Sequence, residues 1–273
     1  MEHTKRVDRI GVIAATLMST PNVVHNYSEF CDMFSISKST VSEDMEILLS
    51  GFEKHKCGII ETIAGAAGGV RFRPYLNAEV KKARIKALAE KLSEPGRLLP
   101  GGFLYSSDIA SDPVITYELA QIVADKYYDN PPDFVLTMET KGIPFALMTA
   151  KALGVSLVIA RRDSKAYEGS AVKINYTSGS DNEQIDTMAI SRRAVKAGQK
   201  ALIVDDFVKG GGTILGMAEM MKECQIEVLG VEVMIKTEKP EKKLYQAVSS
   251  LLVLKGIDRI SSACEVVPEK DYL

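Results

Sequence analysis

One stretch, residues 201–213, constrains the fold of this chain more than any other. Four apolar residues lead into Asp205 and Asp206, and three consecutive glycines and Thr213 follow after a short spacer. A helical pattern of apolar residues begins directly behind the threonine. The stretch is therefore predicted to form a strand, a loop and a helix.

The predicted loop has the chemistry of a phosphate site. Glycines allow positive φ angles and close approach of the backbone to a ligand, so successive N–H groups at a helix start can converge on a phosphate. The ionised carboxylates of Asp205 and Asp206 accept hydrogen bonds from hydroxyls and can bind magnesium. Phosphate donors beside diol acceptors indicate a site for a ribose 5-phosphate. The alternative is an ordinary tight connection whose glycines only begin a helix.

The stretch closely resembles the binding motif for phosphoribosyl pyrophosphate (PRPP) in the type I phosphoribosyltransferases. The resemblance implies that the ligand is held along the whole motif, by Asp205, Asp206, Phe207, Val208, Lys209, Gly210, Gly211, Gly212 and Thr213. The chain departs from the motif at Lys209 and Gly210, where the enzymes usually carry small hydroxyl residues. A hydroxyl that would hold the phosphate is therefore missing, and a cation lies beside the site.

Length and composition favour a folded protein with two domains. The chain has 273 residues, which exceeds the usual size of a single domain. Its hydrophobic share of 46% and charged share of 26% are typical of soluble globular proteins. A net charge of −2 does not exclude nucleic-acid binding, because the local distribution of charge decides that.

Cysteine usage and hydropathy predict a cytoplasmic protein without a resident metal or cofactor. The four cysteines are scattered and form no CxxC pair, so reduced, buried thiols are expected rather than a zinc site. No apolar run approaches the roughly 20 residues of a membrane span, and the N-terminus lacks a signal-peptide core.

The first seventy residues show a helix-turn-helix pattern. Helical spacing of apolar residues covers residues 6–18 and 27–34, and a third helix begins near residue 38 with Val41 and Met45 facing inward. A short turn separates the second helix from the third. The alternative is a small helical dimerisation module.

A glycine-tipped hairpin follows, which makes the segment resemble the winged-helix domain of bacterial transcription regulators. Strands are predicted at residues 59–64 and 70–73, around a turn at residues 65–69. The resemblance places four residues in the major groove: Lys38, Ser39, Thr40 and Ser42. Four basic residues would contact phosphates: Lys5, Arg6, Arg71 and Arg73.

Acidic residues on the third helix weaken the prediction that this helix supplies most of the affinity for DNA. Glu43, Asp44 and Glu46 are expected to repel phosphates. The hairpin, the N-terminal arm and dimer symmetry would then contribute more.

The remaining chain alternates strands and helices, which predicts a parallel sheet covered on both faces. We place the domain boundary between residues 1–74 and residues 75–273. A lysine-rich helix at residues 77–92 is expected to pack on the second domain, and a later helix is predicted at residues 189–197. The tail, residues 251–273, offers no clear loop for binding a base. Ligands of such sheets bind beyond the carboxyl ends of the strands.

Two further loops should lie at that edge. Residues Thr140, Lys141 and Gly142 resemble the pyrophosphate loop of the phosphoribosyltransferases, in which a cation and backbone amides hold the leaving group. A later basic cluster precedes a predicted hairpin that resembles the family's flexible hood, and it would suit a polyphosphate unless it is only solvated charge; it contains Arg161, Arg162 and Lys165.

Two aromatic residues before the sheet, Phe103 and Tyr105, have two possible roles. The first is packing in the core, and the second is stacking on a ligand.

Over nearly its full length the chain resembles the bacterial purine operon repressors. The resemblance implies an α/β fold with an N-terminal winged helix-turn-helix domain and a type I phosphoribosyltransferase-like domain. It also implies a homodimer that binds operator DNA of purine genes, with PRPP or a related polyphosphorylated nucleotide as a releasing effector and no catalysis. Magnesium is considered only as a companion of the ligand.

Two other functions stay open from the residues alone. One is an active purine or pyrimidine phosphoribosyltransferase with an accessory N-terminal module, and the other is a PRPP-binding oligomerisation protein without DNA contact.

Overall fold

Three helices and an antiparallel hairpin occupy the first part of the chain. The structure is a computed structural model that describes residues 4–65, 68–163, 169–178, 184–258 and 263–273. The elements of the first part are α1 (Arg6–Ser19), α2 (Tyr27–Phe34), α3 (Lys38–His55), β1 (Ile59–Ile63) and β2 (Gly69–Arg73). The predicted winged helix-turn-helix fold is confirmed.

Local capping explains where two of these helices begin. The Asn26 side chain and the Glu29 side chain form a capping box at the start of α2. The Ser37 hydroxyl accepts a hydrogen bond from the Thr40 N–H at the start of α3. The apolar residues that follow at helical spacing then form one buried core with the hairpin, which includes Ile13, Leu17, Phe30, Val41, Met45, Val70 and Phe72.

The second part is a six-stranded sheet with helices and a hairpin around it. Its elements up to the middle of the sheet are α4 (Ala78–Leu92), β3 (Leu98–Leu99), β4 (Phe103–Leu104), α5 (Ser107–Ala110), α6 (Pro113–Ala124), β5 (Phe134–Met138), α7 (Ile143–Leu153), β6 (Ser156–Ala160), β7 (Ala171–Ser178) and β8 (Gln184–Ser191). The remaining ones are β9 (Lys200–Val208), α8 (Gly212–Glu223), β10 (Glu227–Thr237), β11 (Ser249–Asp258) and β12 (Ala263–Pro268).

The strand order is β12-β11-β10-β9-β5-β6, and every neighbouring pair is parallel except β11 with β12. One core cluster packs α4, α6 and α7 on one face of the sheet, and the other packs α8 and the β7–β8 hairpin on the opposite face. The predicted sheet, and the packing of α4 on this part of the chain, are confirmed.

The structure corrects two details of the prediction and adds strands in the tail. The helix expected at residues 189–197 is wrong, because Ala189 and Ile190 pair with Lys173 and Val172 in the β7–β8 hairpin. Helix propensity is a weak preference that such pairing overrides. The tail contains the edge strand β12 and most of the neighbouring strand β11, and the strand that leads into the glycines continues through both aspartates as far as residue 208.

Hydrogen bonds from side chains to backbone carbonyls join the two parts of the chain. The Asn22 side-chain amide, in the turn between α1 and α2, donates to the Leu153 carbonyl at the end of α7 over 2.8 Å. The Tyr128 hydroxyl donates to the Pro74 carbonyl over 3.3 Å. The helix-turn-helix therefore contacts the amino-end side of the sheet, where α7 finishes.

The cysteines are less buried than their scattered positions in the sequence predicted. Cys264 is buried, but Cys57 is exposed and the other two cysteines are half-buried, so the prediction of four buried thiols is wrong. Within the described ranges, no helix has the length and apolar character needed to cross a membrane.

Candidate functional site

A cavity of about 480 Å³ opens at the carboxyl ends of β5 and β9. It lies where ligands of open parallel sheets bind. Its lining comes from three loops or strand ends and from the hairpin: Met138, Glu139, Thr140, Lys141, Arg162, Tyr176, Asp205, Asp206 and Thr213. The structure therefore brings together the two acidic residues, the 139–142 loop and the start of α8, as the sequence predicted.

Asp205 is the buried member of the acidic pair. Its side chain is 7% exposed, and its Oδ1 accepts the Asp206 N–H over 2.9 Å. Burial, together with the charge of Asp206, raises the pKa of the Asp205 carboxyl well above its ordinary value of 3.8. No lysine or arginine in the described ranges forms an ion pair with Asp205.

The 139–142 loop lies directly against this carboxylate. A Cβ atom added to Gly142 would come within 2.2 Å of Asp205 Oδ1 and 2.6 Å of Thr137 Oγ1, so only glycine permits this approach. Glu139 fixes the loop to the end of the next strand, because its carboxylate accepts the Arg162 N–H over 2.8 Å and faces an Arg161 nitrogen at 3.3 Å.

The phosphate loop, residues 209–212, makes an equally tight turn between β9 and α8. Gly211 has a φ of +85°, and a Cβ atom on Gly212 would come within 2.1 Å of the Thr177 carbonyl. Glycine is therefore required at both positions, and α8 begins at Gly212 without a side-chain hydrogen bond from its N-cap residue, Gly211. Lys209 is exposed beside this helix start.

Several predicted effector residues are not among those that line the cavity: Gly142, Arg161, Lys209, Gly210, Gly211 and Gly212 lie beside it, and four others lie elsewhere. Phe207 and Val208 belong to β9 and pack into the two core clusters. Phe103 and Tyr105 lie on or beside β4, outside the six-stranded sheet, and are 71% and 42% exposed, so the expectation that they pack in the core is wrong. Lys165 lies outside the described residues.

Three lining residues were not predicted as ligand contacts. Met138 and Glu139 extend the 139–142 loop towards β5, and Tyr176 reaches the cavity from β7. Tyr176 is buried and interacts with the Thr213 side chain. The position of Tyr176 in an alternating strand gives no sequence signal for this role. Its partner, Thr213, lies at the start of α8, far away in the sequence.

The donor set does not suit a resident metal. No group of three or more His, Cys, Asp or Glu side chains in the described part of the chain could hold a metal ion. Asp205 and Asp206 offer only two carboxylates, so a magnesium ion here would need oxygens from a phosphorylated ligand.

The predicted DNA-reading residues lie at the start of α3. Lys38 and Ser39 are exposed, while Thr40 and Ser42 are half-buried. The Ser37 hydroxyl lies 2.8 Å from the Ser39 hydroxyl and 3.0 Å from that of Thr40, so these hydroxyls also help to cap the helix.

The acidic residues of α3 are mostly neutralised inside the first domain. Asp44 is fully buried and pairs with Arg9, whose nitrogens lie 2.7 and 3.2 Å from its two oxygens. Arg6 pairs with both Glu43 and Asp44. The expectation that Asp44 repels phosphates is therefore wrong, and Arg6 is not a free cation, whereas Lys5 is exposed just ahead of α1.

The hairpin arginines have structural partners. Arg71 pairs with Glu61 at 2.8 Å, on the neighbouring strand. Arg73 is 11% exposed; it pairs with Glu61 at 2.8 Å and with Asp129 at 3.3 Å, and it donates to the Tyr128 carbonyl. A role for Arg73 in contacting DNA phosphates does not fit this position between the two parts of the chain.

Comparison with known proteins matches both parts. A family model described as "Bacterial purine repressor, N-terminal" matches residues 5–74, and one described as "Phosphoribosyl transferase domain" matches residues 113–266.

Three relatives match along almost the whole chain, each over 96% of it. A probable purine biosynthesis transcriptional regulator PurR of Streptococcus pneumoniae is 40% identical, with 95% of its length covered. A purine biosynthesis transcriptional activator PurR of Lactococcus lactis is 37% identical (96% covered), and a repressor of that name from Bacillus subtilis is 36% identical (92% covered).

A solved adenine phosphoribosyltransferase from Thermoanaerobacter pseudethanolicus superposes with a TM-score of 0.53 at 22% identity. The match covers 61% of this chain and 98% of that one, and it shows a shared fold.

Proposed function

Because the chain belongs to the PurR family of purine biosynthesis transcriptional regulators, we propose that it is a homodimeric repressor that PRPP releases from operator DNA. The observation that best supports this proposal is that one chain contains both a winged helix and a cavity in which Asp205 and Asp206 lie beside the start of α8. On this proposal the cavity binds PRPP, or a related polyphosphorylated nucleotide, without catalysis.

Each part of PRPP has a matching group in the cavity or directly beside it. The 5-phosphate suits Thr213, which lines the cavity, and the phosphate loop that precedes it, because helix-start amides bind anions. The ribose hydroxyls suit Asp205 and Asp206, which are acceptors when ionised. The pyrophosphate suits the 139–142 loop with Lys141, and magnesium would enter together with it.

Release of DNA has two physical routes. The anionic ligand either competes with DNA for positive surface, or favours a dimer arrangement that holds DNA less well. The lactococcal relative, named an activator, favours a second candidate in which the same ligand binding switches transcription on.

The test is a titration of purine-gene promoter fragments at fixed salt, with and without PRPP. We expect saturating PRPP to weaken DNA binding by about tenfold or more. Unchanged affinity would contradict the sensing model. In vitro transcription from the same promoters separates repressor from activator.

An active phosphoribosyltransferase is the competing enzyme hypothesis. The departure at Lys209 and Gly210 argues against it. Nucleotide formation from PRPP and a common base would establish catalysis, and its absence together with PRPP binding supports a sensor.

The DNA-binding part of the proposal predicts opposite behaviour for two cations. Lys38→Ala removes an exposed charge at the start of α3, so operator affinity should fall and the salt slope should decrease by about one. Arg73→Ala removes a cation that is bonded inside the protein, so it should cost roughly 1–3 kcal/mol of unfolding free energy and leave the salt slope unchanged.

Fluorescence anisotropy at several salt concentrations, with chemical denaturation in parallel, measures both effects. An unaltered slope in Lys38→Ala would favour a PRPP-binding oligomerisation protein that does not contact DNA through α3.

A further inference from the structure

The segment that joins β10 to β11 forms hydrogen bonds to the phosphate loop. The Lys243 ammonium donates to the Lys209 carbonyl over 2.9 Å, and the Leu244 N–H donates to the Gly210 carbonyl over 2.8 Å. Neither Lys243 nor Leu244 lines the effector cavity. Two successive carbonyls are therefore drawn towards the connecting segment.

These two bonds fix the direction of the following amides. In a trans peptide the C=O and the next N–H point in opposite directions. Holding the carbonyls of Lys209 and Gly210 therefore turns the N–H groups of Gly210 and Gly211 away from the connecting segment. Neither N–H has an acceptor within the described part of the chain, so each keeps an unused donor, although Gly211 is buried and both glycines lie beside the cavity rather than in its lining.

Lys243 lines a cavity together with the charged side chains of Lys236, Glu238, Glu241, Lys255, Glu269 and Lys270. Its ammonium also donates to Thr237 Oγ1 over 3.3 Å and to the Pro240 carbonyl over 3.2 Å, and all of these acceptors are neutral. No carboxylate in the described ranges forms an ion pair with it. Burial, with a smaller effect of Lys236, lowers the pKa of Lys243. An anion bound at the loop would add a negative charge to those of Glu238 and Glu241, which line the same cavity as Lys243 but form no ion pair with it.

We propose that Lys243 is the positioning residue of the phosphate loop. It aims the Gly210 and Gly211 amides at the ligand and adds positive charge behind them, in place of the hydroxyl that the loop lacks at Lys209 and Gly210. This inference rests on the proposed function, since it takes the loop to bind the 5-phosphate of PRPP.

Titration calorimetry of the full-length chain tests the proposal with three ligands: PRPP, ribose 5-phosphate and inorganic pyrophosphate. Lys243→Met should weaken binding of PRPP and ribose 5-phosphate by about tenfold or more. It should leave pyrophosphate binding unchanged, because pyrophosphate uses the 139–142 loop. Unchanged pyrophosphate binding also shows that the variant is folded.

Two further variants serve as a control and as a rescue. Lys242→Met removes the neighbouring, exposed lysine and should bind all three ligands as the parent chain does. Lys243→Arg should recover most of the lost affinity, since a guanidinium can donate to the same carbonyls. With rising pH, affinity for ribose 5-phosphate should decline earlier in the parent chain than in Lys243→Arg, because only the lysine loses its proton.

Equal loss of pyrophosphate and ribose 5-phosphate affinity in Lys243→Met would show a general structural defect and overturn the inference. Parent-like binding of ribose 5-phosphate would overturn it as well. Both outcomes leave the proposed function standing if the parent chain binds PRPP. A parent chain that binds no PRPP overturns the proposed function and this inference with it.

Discussion

Asp205→Asn will reduce PRPP affinity by about a hundredfold and raise the melting temperature of the ligand-free protein. The affinity falls because an acceptor-only carboxylate for the ribose hydroxyls is replaced by a neutral amide. The stability rises because Asp205 is buried beside Asp206 with no cation paired to it in the described ranges, so its charge costs folding free energy. We expect a gain of about 2 °C or more by differential scanning fluorimetry.

The stability gain has a defined pH dependence. The folded-state pKa of Asp205 is raised above its unfolded value, so the folded state binds the proton more tightly. Its contribution to stability is complete below the unfolded pKa and is lost as pH rises through the folded pKa. The advantage of Asp205→Asn should therefore be larger at pH 8 than at pH 5.

Asp32→Asn is the control, because Asp32 is an exposed aspartate of α2 and the substitution should change neither quantity. A lower melting temperature for Asp205→Asn, or near-normal PRPP binding, would contradict this account of the acidic pair.

The buried ion pair of the winged helix is the second position where a large effect is expected. Arg9→Met leaves the fully buried Asp44 carboxylate with only Arg6, so chemical denaturation should show a loss of about 3 kcal/mol. Operator binding should weaken as well, because this pair holds α1 against α3. Arg6→Met, which removes a half-exposed partner of the same carboxylate, should cost under about 1 kcal/mol.

A double variant separates the two contributions to this loss. Arg9→Met combined with Asp44→Leu removes both charges and should recover much of the stability, since the penalty arises from an unpaired buried charge. If the double variant is no more stable than Arg9→Met alone, the loss comes from packing rather than from the carboxylate.

The sequence predicted the two-part fold and six of the nine residues that line the cavity, because both depend on local patterns. Apolar spacing located most helices and strands, and glycines beside carboxylates located the phosphate loop. Gly142 and Gly212 show why such signals are dependable: each approaches another chain segment so closely that a side chain would collide.

The errors share a different physical cause, which is pairing between segments that are distant in the chain. Alanine favours helices, but Ala189 pairs with β7 and therefore lies in a strand. Tyr176 reaches the cavity only because the hairpin folds over α8. The partners of Arg73 lie in the second part of the chain, and no local pattern could show that this arginine faces away from DNA.

Helix α7 begins at the 139–142 loop and ends beneath the helix-turn-helix, where the Leu153 carbonyl accepts the Asn22 amide. Its residues span about 16 Å, and no residue before position 75 lines the cavity in the described ranges. On the proposed function, substitutions around the cavity would therefore alter ligand preference without replacing any residue of the helix-turn-helix. The ligand specificity of such a chain can evolve separately from its DNA specificity.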